Sequence, residues 1–284
     1  YPFSNFFQYF VALRLVNFVL LSILFYYFFK VVAVKSKEFY CYLMFYLATS
    51  SIFFKGTNDA LFFLGLIIFL TEVYYYLEFK KMNSEVMAFS GLVLAFFTRE
   101  LFVIYIPIIL LGFFFLYKNG IVFRVKSLTV PSLLLLCLLI GNIPSLTLHK
   151  KLSFDTKIPP TTVSVDWSQR QYLAQMLVNN GSLDNFQHPS WEETQEYVDK
   201  NGANSLPRGI ISGLTFEYSL TVKEFFKDFY YSLFYGFRQL GFILLFPFYF
   251  IIRNFKKGNF LNPELFVPYS MFIMLAIFSL IIIS

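Results

Sequence analysis

The residues from 55 to 60, KGTNDA, place an ammonium, an amide and a carboxylate between two long apolar runs. Asn58 or Asp59 can cap the helix that starts at Ala60, because a side-chain oxygen there accepts from free backbone N–H groups. Alternatively, the Asp59 carboxylate faces an outer cavity, where it orients a substrate hydroxyl, a phosphate-bound metal or a neighbouring Lys. An acid at the end of an apolar helix needs water or a partner, and both interpretations stay open from the residues alone.

Further charged residues lie at the ends of other apolar runs. Arg99 and Glu100 are adjacent, so on a helix they point about 100° apart. They form either a salt-bridged turn or a site in which Arg99 binds an anionic headgroup or a lipid phosphate, for which a guanidinium is well suited. Arg14 and Asn17 are three residues apart, which places them on one face of a predicted helix. Snorkelling to the interface explains Arg14 but not Asn17.

Glu72 is the acid that lies deepest within an apolar run. It is predicted to reach towards Lys80 or Lys81, or to pair with another helix. An acid in such a position is a functional candidate. Its predicted depth, however, separates it from a site at the opposite membrane face.

A basic group follows the sixth apolar run, at Lys150 and Lys151 after His149. These residues either bind lipid phosphates at the interface or form an ordinary basic flank. His149 and His188 are the two histidines of the chain, and no spacing typical of a zinc site involves them. No cofactor is predicted with certainty, and a divalent metal is left open.

The composition predicts the elements that must position these residues. The chain is 57% hydrophobic, 22% aromatic and 14% charged, whereas an average soluble domain carries about 25% charged residues. Continuous apolar runs of roughly 18 residues indicate membrane helices rather than alternating β-strands. The predicted fold is an all-α polytopic membrane protein, a helical bundle with about eight transmembrane helices and one large extracytoplasmic loop. The predicted spans are 9–29, 38–54, 59–77, 86–98, 101–117, 127–147, 229–252 and 265–284.

The distribution of Lys and Arg predicts the orientation. The connections at 30–37, 78–85, 118–126 and 253–260 are rich in Lys and Arg, and such connections face the cytoplasm. The net charge of +6 is thereby explained by topology, and no nucleic acid is expected as a partner. The predicted organisation is an N-terminal transmembrane region, an extracytoplasmic loop with short helices, and C-terminal transmembrane helices. Their boundaries are 1–147, 148–228 and 229–284.

The long polar region contains two local signals. In HPSWEETQEYVDKNG, Ser190 is the predicted N-cap of a helix, Glu193 completes a capping box and Gly202 lies beyond the end. The stretch VKEFFKDFYYSLFYGFRQLG mixes aromatic residues with Lys and Arg, which predicts an interfacial segment that leads into the next span. No domain with a full hydrophobic core is predicted here.

Three pieces of the sequence, in order, resemble GT-C glycosyltransferases. YPFSNFFQYFVALRLVNFVLLSILFYYFFK resembles the family's second-helix region, in which a Pro-aromatic stretch precedes an Arg-Leu pair at the start of a long apolar helix. KGTNDALFFLGLIIFL resembles the turn after the third helix, and GLVLAFFTRELFVIYIPIILL resembles the helix that ends in Thr followed by Arg or Lys, with its following span. The resemblance covers about residues 1–117 and is architectural beyond them. A GT-C-like bundle is the fold it implies.

The resemblance implies a hexosyl- or pentosyltransferase similar to the protein mannosyltransferases and the aminoarabinose transferase of lipid A. Such enzymes use a polyprenyl- or dolichyl-phosphate sugar on the non-cytoplasmic side. Asp59 matches the second active-site acid, and the principal base is expected before Tyr1, since the chain is interpreted as an internal segment of a longer one. Arg99 lies near the donor phosphate by the same match. The other predicted substrate-binding residues are Glu100, Asn58, Lys55, Arg14, Lys150 and Lys151.

This function is consistent with the residue types. Inverting transfer needs a carboxylate to deprotonate the acceptor hydroxyl and positive charge near the leaving phosphate. The predicted partners are a polyprenyl-phosphate sugar donor, a glycan, lipid or protein acceptor, and membrane lipids. The predicted location is the bacterial plasma membrane, as an integral protein, because the many Phe, Ile, Lys and Asn residues suggest an AT-rich genome.

Two other functions stay open. A surface-polysaccharide polymerase or ligase also has many helices and one large outer loop, in which Arg170 and Arg208 would be the essential arginines. A membrane transporter is the third, less favoured, interpretation. Transporters carry polar residues or broken helices near the middle of the membrane, whereas most polar residues here lie at the predicted helix ends.

Overall fold

The computed structural model is built of α-helices, so the predicted all-α class is confirmed for the residues that it describes. Those residues are 6–32, 59–98, 102–149, 162–184 and 187–283, with 152 and 160 as single positions. The chain divides into two compact units, one of residues Tyr1–Asp155 and Gly258–Val267, the other of residues Thr156–Lys257 and Pro268–Ser284.

Six α-helices lie among the described residues of the first unit. They are α1 (Phe6–Val32), α2 (Asp59–Phe79), α3 (Glu85–Thr98), α4 (Phe102–Lys118), α5 (Thr129–Gly141) and α6 (Ile143–His149).

Five α-helices lie among the described residues of the second unit, and the boundary between the units falls inside a further helix. The five are α7 (Trp167–Asn179), α8 (Trp191–Asn201), α9 (Ile210–Phe216), α10 (Tyr218–Leu240) and α11 (Leu245–Lys256). The helix at the boundary is α12 (Phe266–Ile283).

The first unit is centred on α2, which packs closely against α3. The two helices meet at Gly65 and Gly91, where a Cβ atom added to Gly65 would lie 2.3 Å from the Gly91 carbonyl oxygen. Two backbones can approach this closely only where neither residue has a side chain. On either side of this contact, Leu66 and Phe69 of α2 and Ala95 of α3 are buried, so apolar packing surrounds the glycine pair.

The second unit has a hydrophobic core of its own, contrary to the sequence-based expectation. The buried residues of this core are Val165, Tyr172, Leu173, Val198 and Leu206. α7 supplies Tyr172 and Leu173 and α8 supplies Val198. The polar region of the sequence therefore folds around an apolar centre.

The predicted capped helix is confirmed as α8. Its N-cap is Ser190, whose hydroxyl accepts from the Glu193 backbone N–H at 3.0 Å while the Glu193 carboxylate accepts from the Ser190 N–H at 2.6 Å. The helix ends before Gly202, which has a φ of 98°.

The predicted polytopic GT-C-like bundle with about eight transmembrane helices is wrong. Among the described residues, one helix is long and apolar enough to cross a membrane, Leu61–Phe79. The other apolar helical stretches found there, such as Arg14–Ile23 within α1, are 10–17 residues long. At 1.5 Å per residue, 17 residues span about 26 Å, less than the roughly 30 Å hydrocarbon core of a bilayer.

Helix breaks explain why two of the apolar runs do not form continuous spans. The run 127–147 is divided at Asn142, which separates α5 from α6. The run 229–252 is divided at Gly241, whose φ of 57° ends α10. The run 86–98 forms a helix of 14 residues, and the run 38–54 lies outside the described residues.

Candidate functional site

The structure describes few of the predicted site side chains. Asp59 is the first residue of α2, but its side chain lies outside the described part of the chain. Arg14 is exposed on α1, whereas Asn17 is 2% exposed, so the two side chains do not form one shared exposed patch. Residues Lys55, Asn58, Arg99, Glu100, Lys150 and Lys151 lie outside the described residues. The structure does not bring the predicted set together, and its roles stay predictions.

A pair of buried acids on α10 is the candidate site that the structure adds. Glu224 is 2% exposed and Asp228 is 7% exposed. A spacing of four residues places both carboxylates on one side of the helix, one turn apart. Burial of two acids on the same face is costly unless hydrogen bonds or neighbouring charges compensate.

Among the described residues, Glu224 has an ion-pair partner and a hydrogen-bond donor, and Asp228 has neither. Lys227 Nζ lies 3.0 Å from Glu224 Oε2, and Gln175 of α7 donates from Nε2 to the same oxygen at 3.1 Å. Glu224 is thus held by an ion pair and an amide. No hydrogen bond to the Asp228 carboxylate comes from any described residue.

The environment of Asp228 favours its protonated form. Burial first, and then the negative charge of Glu224, raise the pKa of Asp228 to about 6, against the opposing effect of the Lys227 ammonium. A carboxyl whose pKa lies close to neutrality can both accept and release a proton at physiological pH. The arrangement is suited to proton transfer with a hydroxyl that reaches Asp228.

An aromatic and cationic cluster lies elsewhere in the same unit. The Arg170 guanidinium lies 5.5 Å from the ring centroid of Trp167 and 5.0 Å from that of Trp191. Its Nε donates to the Pro189 carbonyl oxygen at 2.6 Å. His188 meets Trp167 edge-on at 5.9 Å between ring centroids. Through these contacts α7 packs against the segment that leads into α8.

Glu72 is buried in the first unit and is fully hydrogen-bonded. The Tyr27 hydroxyl of α1 donates to Oε1, Asn83 Nδ2 donates to Oε1 at 3.2 Å, and the Ser84 backbone N–H donates to Oε2 at 2.9 Å. The expectation that Glu72 pairs with another helix is confirmed by Tyr27. The expected contact between Glu72 and Lys80 is not found, because Lys80 Nζ donates to Asn119 Oδ1 instead, at 2.9 Å. This carboxylate joins α1, α2 and the turn before α3.

Sequence reasoning missed the Glu224–Asp228 pair because it treated their segment as an interfacial stretch. A signal was present in the sequence, since two acids four residues apart in an aromatic-rich helix lie on the same side of it and indicate a polar site. The described residues contain no group of three or more His, Cys, Asp or Glu side chains placed to hold a metal ion.

Comparison with known proteins adds no relative: no protein-family model, no curated protein and no solved structure matches the chain. The site must therefore be interpreted from its own chemistry.

Proposed function

We propose that the protein is a glycosyltransferase that moves a sugar from a polyprenyl-phosphate donor to a hydroxyl-bearing acceptor at a membrane surface, with Asp228 as the proton acceptor. The observation that carries this proposal is a buried Asp228 carboxylate beside a second acid, with no hydrogen-bond donor among the described residues. Its side chain is 7% exposed, lies one turn from Glu224, and receives no hydrogen bond from a described residue. Such a carboxylate can accept a hydrogen bond from a ligand hydroxyl.

The reaction requires a group of this kind. As the acceptor oxygen bonds to the sugar C1, the bond from C1 to the phosphate oxygen breaks and its electron pair leaves with the phosphate. The acceptor's proton must be taken up at the same time, and a positioned carboxylate typically contributes about 10²–10⁴-fold to such a step. The Lys227–Glu224 ion pair keeps a full negative charge beside Asp228, which strengthens its attraction for that proton.

The sugar and the lipid phosphate are supported by the sequence resemblance. Residues 1–117 resemble GT-C glycosyltransferases, whose donors are lipid-linked sugars. The roles that the resemblance implies for Asp59 and Arg99, both in the first unit, stay separate predictions, and the proposal for Asp228 does not rest on them. The proposed acceptor is a glycan, a lipid or a protein on the extracytoplasmic face of a bacterial plasma membrane.

A transfer assay tests the proposal. The full-length protein is reconstituted into vesicles with radiolabelled polyprenyl-phosphate sugars and a mixture of candidate acceptors. Asp228→Asn is compared with wild type and with Glu196→Gln, a matched change at an exposed acid of α8. Asp228→Asn is expected to lower transfer by about 100-fold or more, with partial recovery in Asp228→Glu and no loss in Glu196→Gln.

Two results would count against the proposal in different ways. Equal transfer by wild type and Asp228→Asn would keep the glycosyltransferase and remove Asp228 from its mechanism. No transfer by wild type from any donor would overturn the glycosyltransferase function and favour the polymerase or transporter.

A further inference from the structure

α10 exposes its aromatic residues and buries its acids. Among its described side chains, the helix exposes eight large apolar ones; Tyr231 and Tyr235 lie apart from the other six, which recur every three or four positions and are each between 43% and 69% exposed. Since this spacing follows the helical repeat, they form one continuous strip. We refer to it as the outward face of α10; its members are Tyr218, Val222, Phe226, Tyr230, Phe234 and Phe237.

The charges of α10 are divided between its sides. Glu224 and Asp228 are buried, whereas Lys223, Lys227 and Arg238 are exposed. At 100° per residue these three cations lie along one border of the outward face. Neither Lys223 nor Arg238 forms an ion pair with a described residue. The open side of the helix is therefore aromatic and positively charged, although its sequence carries both signs.

We propose that the outward face of α10 binds the headgroup region of an anionic lipid bilayer. Aromatic rings, and Tyr in particular, are enriched where hydrocarbon meets headgroups, and an amphipathic helix lies there with its apolar side buried. Lys and Arg beside such a face are attracted to anionic lipid phosphates. From Tyr218 to Phe237 the strip is about 29 Å long, so α10 lies along the surface.

The next helix has the same composition, which favours a bilayer over a protein partner. α11 exposes Phe246, Tyr249 and Ile252 at a spacing of three residues, and its Arg253 and Lys256 are also exposed. Centres of protein–protein interfaces are depleted of Lys, whereas lipid-contacting helices are enriched in it. Two successive helices with this pattern fit an extended anionic surface better than a single docking patch.

Spin-label accessibility tests the assignment without requiring transfer activity. A single Cys is placed at Phe226 or Phe234 in a background with Cys41→Ser and Cys137→Ser, and Glu196→Cys on α8 is the matched control. The spin-labelled protein is reconstituted into vesicles of phosphatidylcholine and phosphatidylglycerol. Collisions with oxygen, which concentrates in lipid, are compared with collisions with a water-soluble nickel complex.

The labels on the outward face are expected to collide more with oxygen than with nickel, and the control label is expected to show the reverse. The oxygen preference should weaken when phosphatidylcholine replaces phosphatidylglycerol, and this dependence should disappear in Lys223→Gln/Arg238→Gln. A nickel preference at Phe226 and Phe234 would overturn the assignment, because the face would then be in water. Low accessibility to both reagents would also overturn it, because a protein partner would cover the face. An inactive protein can still pass this test, so its result is separate from that of the transfer assay.

Discussion

Replacing Gly65 with alanine is expected to destabilise the first unit by separating α2 from α3. The added methyl carbon would lie 2.3 Å from the Gly91 carbonyl oxygen, 3.0 Å from the Ala95 backbone nitrogen and 3.2 Å from the Ala95 Cβ atom. Two of these three atoms belong to the backbone, so rotation of a side chain cannot relieve the clash. The helices must move apart by about 1 Å to restore ordinary contact, and a packed interior resists such a shift.

The size of the effect follows from the cost of overpacking. An extra methyl group in a well-packed interior typically costs about 1–3 kcal/mol, and alanine recovers part of this because it favours the helix over glycine by about 0.5–1 kcal/mol. A net loss of about 1–2 kcal/mol is expected, which lowers the unfolding temperature by roughly 2–8 °C for a chain of this size.

Thermal unfolding, followed by far-UV circular dichroism of the purified protein in detergent, measures this loss. Gly141→Ala is the matched control in the same unit, because nothing lies within 4 Å of a Cβ atom added there. The control is expected to unfold at or slightly above the wild-type temperature. If Gly65→Ala unfolds together with Gly141→Ala, then α2 and α3 do not touch at this glycine pair.

Three further changes are expected to have specific effects. Glu72→Ala should cost about 2 kcal/mol or more, because it removes a buried carboxylate that accepts hydrogen bonds from Tyr27, Asn83 and Ser84. The exposed Glu78→Ala should stay within about 0.5 kcal/mol of wild type, and chemical denaturation compares the two variants. Arg170→Lys should shift the intrinsic tryptophan fluorescence, because both tryptophans of the chain contact this guanidinium. The exposed Arg208→Lys is the control and should leave the spectrum unchanged. An unchanged spectrum in Arg170→Lys as well would contradict the cluster. Because the pKa of Asp228 is raised to about 6, the folded state binds more protons than the unfolded state between about pH 4 and 6, so stability should fall as pH rises through this window. Asp228→Asn should remove that fall in thermal unfolding at pH 4.5 and 7, and an unchanged pH dependence would contradict the raised pKa.

Local signals in the sequence were sufficient for some elements. The boundaries of α8 could be predicted because Ser190, Glu193 and Gly202 determine them through contacts within a few residues of each other. The pairing of Glu72 with a second helix could be expected because an acid in an apolar run must find a donor. The identity of that donor, Tyr27, could not be expected, since it depends on how α1 packs against α2.

The number of spans could not be predicted, because apolar composition does not specify where a helix stops. Asn142 and Gly241 divide two runs that hydropathy treats as continuous. The burial of Asp228 could not be predicted either, because it depends on which side of α10 packs against the rest of its unit. The sequence shows which residues of this segment are aromatic or cationic, but not the side of the helix on which each of them lies.

The pH dependence of transfer tests the central claim, that Asp228 accepts the acceptor's proton, most directly. Single-turnover rates of sugar transfer from the lipid-linked donor would be measured between pH 4.5 and 8 for wild type and Asp228→Asn. The wild-type rate is expected to rise with a midpoint near the Asp228 pKa of about 6, because the base must be deprotonated to act. The Asp228→Asn rate should be low and should lack this midpoint. The same midpoint and the same plateau in both proteins would contradict the account.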